Sequence, residues 1–138
     1  MLSKKSLYLI IAVTAMLTGS FIYLIARPES LLMFSWIDAI GLHDGVSLLR
    51  HSSNGILLAS PLIYSVPFAL WLLSYLLCIK VIWSDRSPTK AWYIWFWIVP
   101  CVSLLSEVLQ SVKLCPGTFD KDDVLCLLAA TLIVRITP

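Results

Sequence analysis

Charge is what this chain of 138 residues has least of: 13% of its residues are Asp, Glu, Lys or Arg, against 59% hydrophobic. With a mean hydropathy of +0.90, there is too little polar surface to coat a water-soluble core of this size. No dedicated soluble domain fits between the apolar runs. Histidine occurs twice and cysteine four times, with no CxxC and no His-containing ligand spacing, so neither a zinc site nor any other metal or cofactor is expected. Cys78 and Cys101 fall within apolar segments and Cys126 just inside the last one, which argues against a disulfide framework; Cys115 lies in a loop, and whether it meets Cys126 stays open. His43 and His51 read as isolated, solvated residues. The net charge of +2 is spread over the ends of apolar runs, with no basic stripe interleaved with aromatics, so nucleic acid is not an expected partner.

What is there is a set of apolar segments near the length of about 20 residues needed to cross a bilayer. The first covers residues 7–26, between Lys4–Lys5 and Arg27–Pro28. It is too long for a signal-peptide core and no small-x-small cleavage site follows it, so it reads as a retained helix. The second covers 61–83 and the third 91–110, with a kink expected at Pro100. The fourth, 124–136, is short and has to borrow its first turn from Asp120–Asp123, making it 121–136, or thin the bilayer locally. The expected architecture is all-α: a polytopic membrane protein whose 1–138 form one four-transmembrane-helix bundle.

Lys4, Lys5, Lys80, Arg86, Lys90 and Arg135 then fall on one side, and Glu29, Asp38, Asp44, Glu107, Asp120, Asp122 and Asp123 on or near the other. The positive-inside rule places both termini in the cytoplasm, with Arg27, Arg50, Lys113 and Lys121 as exceptions on the outer side. Trp83, Trp92, Trp95 and Trp97 flank the short inner loop 84–90, at the headgroup level that indole rings favour. On the outer side, residues 31–40 carry an apolar pattern that suits a short interfacial helix ended by Gly41, and 46–49 and 56–58 bracket the polar stretch 50–54 as a membrane-hugging hairpin or re-entrant cap.

The few charges concentrate in one place. Glu107, Gln110, Lys113, Asp120, Asp122 and Asp123 sit together around Cys115-Pro116-Gly117-Thr118, which breaks the helix and reverses the chain. Ser103, Glu107 and Gln110 share one helical face, because offsets of three and four stack. Asp120 suits an N-cap, with Asp123 in the first turn, where the helix dipole favours acids. Capping acids plus a Glu107–Lys113 ion pair holding the hairpin is one reading. A polar pocket is the other: Glu107 and Gln110 are not needed for capping, and ionisable residues at membrane depth face a cavity or a partner.

Ser106-Glu107-x-x-Gln110, followed by Pro116-Gly117-Thr118-Phe119-Asp120-x-x-Asp123 and a last apolar run, resembles the C-terminal signature of the VanZ-like family of small bacterial membrane proteins. Ser65-x-Pro67-x-x-Leu70-Trp71 is similar to a weaker element of some members. Gly117 and Thr118 stand where the family often has a basic residue, and Leu127 and Ala130 where Asn and Gly are common. The resemblance implies a multi-pass protein of the bacterial inner membrane with a role at the cell envelope. On that reading Glu107, Gln110, Lys113, Asp120 and Asp123 form an outer-side pocket that engages a lipid or cell-wall headgroup. No nucleophile with an adjacent base is visible, so binding is favoured over catalysis. The alternative is a small membrane subunit or effector that acts by forming a homo-oligomer or by joining a larger membrane protein partner.

Overall fold

The computed structural model describes residues 3–53 and 59–137, and among these it contains seven helices and no strand. Two of the helices, α1 (Lys4–Ala26) and α6 (Lys90–Ser111), are long and apolar enough to cross a membrane. The first apolar run therefore begins three residues earlier than its hydropathy indicates. Ser3 is its N-cap, its hydroxyl accepting the Ser6 N–H at 3.1 Å, which satisfies one of the orphan donors of the first turn. Thr89 does the same for α6, accepting the Trp92 N–H at 3.3 Å. The helix α6 continues through Pro100, which is buried.

The second apolar run is interrupted. Helix α4 (Ser60–Tyr64) stops at Ser65 and α5 (Val66–Ile82) begins beside it. Pro67 has no N–H to return to the carbonyl one turn back, at Ile63, and so breaks the hydrogen-bond ladder. Ser65 nevertheless keeps right-handed helical dihedrals, with its N–H on the Pro61 carbonyl (2.9 Å) and its own carbonyl taking the Ala69 N–H (3.2 Å). The two helices are thus joined through Ser65 by helical hydrogen bonds, with a local defect.

Helix α5 is the centre of the bundle, touching α1, α6 and α7 (Lys121–Ile136). Leu72, Leu76, Leu77 and Ile79 pack with Ala12, Trp92, Phe96, Leu127, Ala130 and Val134 in one cluster. Small residues on the buried face of α1, Ala12, Ala15 and Gly19, let it lie close to α5. A Cβ on Gly19 would come within 3.0 Å of the Trp71 indole nitrogen and 3.1 Å of the Pro67 carbonyl oxygen. The indole instead donates to the Ser20 hydroxyl at 3.2 Å. Trp92 is not a headgroup anchor: it is buried and stacks on Phe96 at 4.9 Å, because its place in the first turn of α6 faces the core, whereas Trp95 and Trp97 stay exposed.

Between α1 and α4 lie α2 (Leu32–Ala39) and α3 (His43–Ser52). Of the interfacial helix expected over 31–40, the structure has the helix, as α2, and Gly41 follows it at φ +75°, a left-handed turn that suits glycine. The polar residues Arg50, His51 and Ser52 are not the tip of a hairpin but the last turn of α3, where basic side chains complement the helix dipole. The other arm of that hairpin, 56–58, lies outside the described residues. His43 is exposed but not isolated, since its Nδ1 sits 2.7 Å from Asp38 Oδ1. Arg50 ties this segment to the end of α1: its guanidinium donates to the Leu24 and Arg27 carbonyls (2.5 and 2.9 Å) and pairs with Glu29 at 2.9 Å.

Candidate functional site

The lower part of α6 is packed into the core through Trp92 and Phe96, and Tyr75 of α5 donates its hydroxyl to the Trp95 carbonyl. Further along, the two helices leave a cavity of about 840 Å³. Val99, Val102, Ser103, Ser106, Glu107 and Gln110 of α6 form one wall, in the order in which the helix climbs. Phe68, Trp71, Leu72 and Tyr75 of α5 face them, and Asp120, Asp123 and Leu127 close a third side. Charge and amide groups gather at the end where α6 and α7 meet the loop, while Leu72, Val99 and Leu127 make the other end apolar.

The acidic hairpin is built by two local devices. Helix α6 ends in a Schellman motif: the Leu114 N–H returns to the Leu109 carbonyl (2.9 Å) and the Lys113 N–H to the Gln110 carbonyl (3.0 Å). Lys113 occupies the left-handed position at φ +58°, where glycine is usual. Helix α7 begins on Asp120, whose carboxylate accepts the Asp122 N–H at 2.9 Å, with Asp122 and Asp123 in the first turn. Between them Gly117 adopts φ +128°, and the Gln110 side chain lies against it so closely that a Cβ there would meet Gln110 Nε2 at 2.7 Å.

Four of the five expected site residues, Glu107, Gln110, Asp120 and Asp123, line the one cavity. Lys113 does not; it is exposed, and no ion pair with Glu107 forms among the described residues. Its left-handed backbone turns the chain away after α6, so its contribution to the hairpin is conformational. Glu107 is the opposite case, only 8% exposed. The Asp120 N–H donates to its carboxylate, but Oε2 is buried with no hydrogen-bond partner, and so is Asp123 Oδ1. Buried carboxylate oxygens without donors are costly, and these two belong to residues lining the same cavity.

One lining residue was not singled out by the acidic pattern. Arg27, just past the end of α1, reaches the cavity with its guanidinium carbon 4.7 Å from the Tyr64 ring centroid, 5.3 Å from that of Tyr23 and 5.6 Å from that of Phe68. Cation–π contact holds it there, yet its Nε is buried without a partner. The nearest acid in sequence, Glu29, is taken by Arg50. The only signal for Arg27 in the sequence is its place at the end of the first apolar run, where the expected topology makes it a basic exception on the acidic side. No three metal-ligating side chains come together among the described residues, and all four cysteines are free, so Cys115 and Cys126 do not pair. No protein-family model, no curated protein and no solved structure matches this chain.

Proposed function

We propose that the chain is a VanZ-like integral protein of the bacterial inner membrane that acts at the cell envelope by holding a lipid or cell-wall headgroup in the cavity between α5 and α6. The observation that carries this reading is Glu107, buried at the cavity wall with Oε2 unpartnered. A carboxylate kept in that state has a ligand or water to meet. Both halves of the VanZ-like signature bear on the same space: Ser106, Glu107 and Gln110 from the first, and Gly117, Thr118, Asp120 and Asp123 from the second, all line it. Trp71, from the weaker element, lines it as well.

In this reading α1, the α4–α5 pair, α6 and α7 are four crossings with both termini in the cytoplasm. Supporting the orientation, Lys4, Lys5, Lys80 and Arg86 surround a second cavity, of about 500 Å³, with Trp83 beside them. Lys5 also pairs with Asp85 there. This basic end would face the cytoplasm. Helix α7, about 24 Å long at 1.5 Å per residue, is shorter than a hydrocarbon core of about 30 Å and requires local thinning.

The test is native mass spectrometry of the protein taken from inner membranes in mild detergent, alongside Glu107→Gln. The wild type is expected to carry a headgroup-bearing lipid or lipid-linked precursor that the variant loses while inserting and accumulating normally. Equal loss of protein would make the cluster structural, and a ligand-free wild type that also takes up no added lipid would end the headgroup reading.

A further inference from the structure

The cavity contains both signs of charge, and each keeps a buried atom without a hydrogen-bond partner. Among the described residues Arg27 is its one lining cation, and Glu107, Asp120 and Asp123 are its carboxylates. Asp120 spends an oxygen on the α7 cap, but Glu107 Oε2, Asp123 Oδ1 and Arg27 Nε are buried without partners. Lys113 and Lys121, the bases closest in sequence to the acids, are exposed and do not line the cavity. Were Arg27 beside the carboxylates, an ion pair would form; none does among the described residues, and the aromatic rings of Tyr23, Tyr64 and Phe68 hold the guanidinium where it is.

We infer that the cavity selects a zwitterion carrying a primary ammonium and an anionic phosphate, the ammonium donating to Glu107 and Asp123 and the phosphate accepting from Arg27. This rests on the headgroup reading above and narrows its ligand to the aminophosphate class. Three points select that class. Glu107 Oε2 and Asp123 Oδ1 lack hydrogen-bond donors, which a primary ammonium has and a quaternary one does not. The guanidinium suits a phosphate oxygen pair. The apolar end, formed by Leu72, Val99 and Leu127, suits hydrocarbon, and the volume lies in the range of roughly 300–1,000 Å³ typical of small-molecule sites.

The shared chemistry belongs to a phosphatidylethanolamine headgroup and to free phosphoethanolamine. The experiment titrates detergent-solubilised full-length protein with dihexanoyl phosphatidylethanolamine, phosphatidylcholine and phosphatidylglycerol and with free phosphoethanolamine, and reads affinity by calorimetry. The ethanolamine lipid is expected to bind about tenfold or more tightly than the other two lipids, since each loses a charge-assisted bond. Glu107→Gln and Asp123→Asn should each remove most of its advantage over the choline lipid, and Arg27→Gln should weaken all three lipids together, since each carries a phosphate. Free phosphoethanolamine binding as well as the lipid would assign the site to a soluble zwitterion; much weaker binding assigns it to the lipid, and both uphold the class. Choline or glycerol lipid binding as tightly as the ethanolamine lipid would overturn the inference while leaving the headgroup pocket standing. Saturable binding of none of the four would remove both.

Discussion

Two residues in the turn between α6 and α7 have positive φ, and exchanging what stands there should move stability in opposite directions. Gly117 sits at φ +128°, where an L side chain is strained whatever the space around it. Holding alanine in such a region costs about 1–3 kcal/mol. The new Cβ would lie 2.7 Å from Gln110 Nε2, 2.8 Å from Cδ and 3.3 Å from Cγ, so the glutamine has to leave its place, at a further cost of about 0.5–1.5 kcal/mol if it ends off-rotamer. Gly117→Ala should therefore destabilise by roughly 2–4 kcal/mol. Lys113 is at φ +58°, where a non-glycine residue costs roughly 1–2 kcal/mol; glycine removes that strain but gives back about 0.5–1 kcal/mol of chain entropy. Lys113→Gly should be neutral or stabilising by up to about 1.5 kcal/mol. Both are measured by equilibrium unfolding in mixed micelles against SDS mole fraction, followed by far-ultraviolet circular dichroism. A Gly117→Ala protein within about 0.5 kcal/mol of wild type, or a Lys113→Gly protein losing more than about 1 kcal/mol, would refute the conformational account of this hairpin.

Arg50→Ala removes a guanidinium that serves the Leu24 and Arg27 carbonyls and Glu29 at once; a loss of about 1.5–3 kcal/mol is expected in the same unfolding assay, and an unchanged midpoint would mean that the α1–α3 clasp is not formed. The His43 pKa is raised, first by its hydrogen bond to Asp38 and then by the charge of that carboxylate. The pair accordingly contributes below the unfolded-state value of about 6.5 and its contribution is lost as pH rises through the higher folded value. An NMR titration of the His43 ring should show a midpoint above 6.5 that falls in Asp38→Asn, and equal midpoints would contradict the pairing. Cys115, partly exposed in the α6–α7 turn, should react with a membrane-impermeant maleimide added outside intact spheroplasts in a variant lacking the other three cysteines; reaction only after lysis would invert the proposed topology.

How far these features can be read without coordinates depends on the range over which each is determined. The N-cap at Asp120 and the acids after it, the stop at Gly41 and the helix α2 are set by neighbours a few residues apart, and residue type reveals them. Both devices of the acidic hairpin are of this kind except for Lys113, whose left-handed backbone is invisible because lysine is a poor residue for it. The break at Ser65 was available in principle, since Pro67 cannot donate to Ile63, but a continuous apolar run hides an interruption that costs only one backbone bond. Trp92 shows the limit of composition: an indole near a helix start suits a headgroup anchor or a core plug equally well, and only the packing of α6 on α5 and α7 decides between them.

Arg27 is the more instructive case. Its sequence neighbourhood offers Glu29 as a natural partner two residues away, and a local reading pairs them. The structure gives Glu29 to Arg50, which lies in α3 and arrives there only because α3 packs back against α1. That competition leaves Arg27 to the rings of Tyr23, Tyr64 and Phe68, contributed by α1, α4 and α5. A cation is thereby stationed at a cavity whose carboxylates come from α6 and α7, across elements that no local pattern connects. The acidic half of the site follows from sequence spacing, and the basic half from a partner being taken elsewhere in the fold. A substitution that frees Glu29, such as Arg50→Gln, should therefore weaken phosphate-bearing ligands although Arg50 does not line the cavity: Glu29 becomes free to claim the Arg27 guanidinium, while Arg27 loses only the bond to its backbone carbonyl. Unchanged affinity for the ethanolamine lipid in a folded Arg50→Gln protein would show that Arg27 owes its availability to the aromatic rings alone.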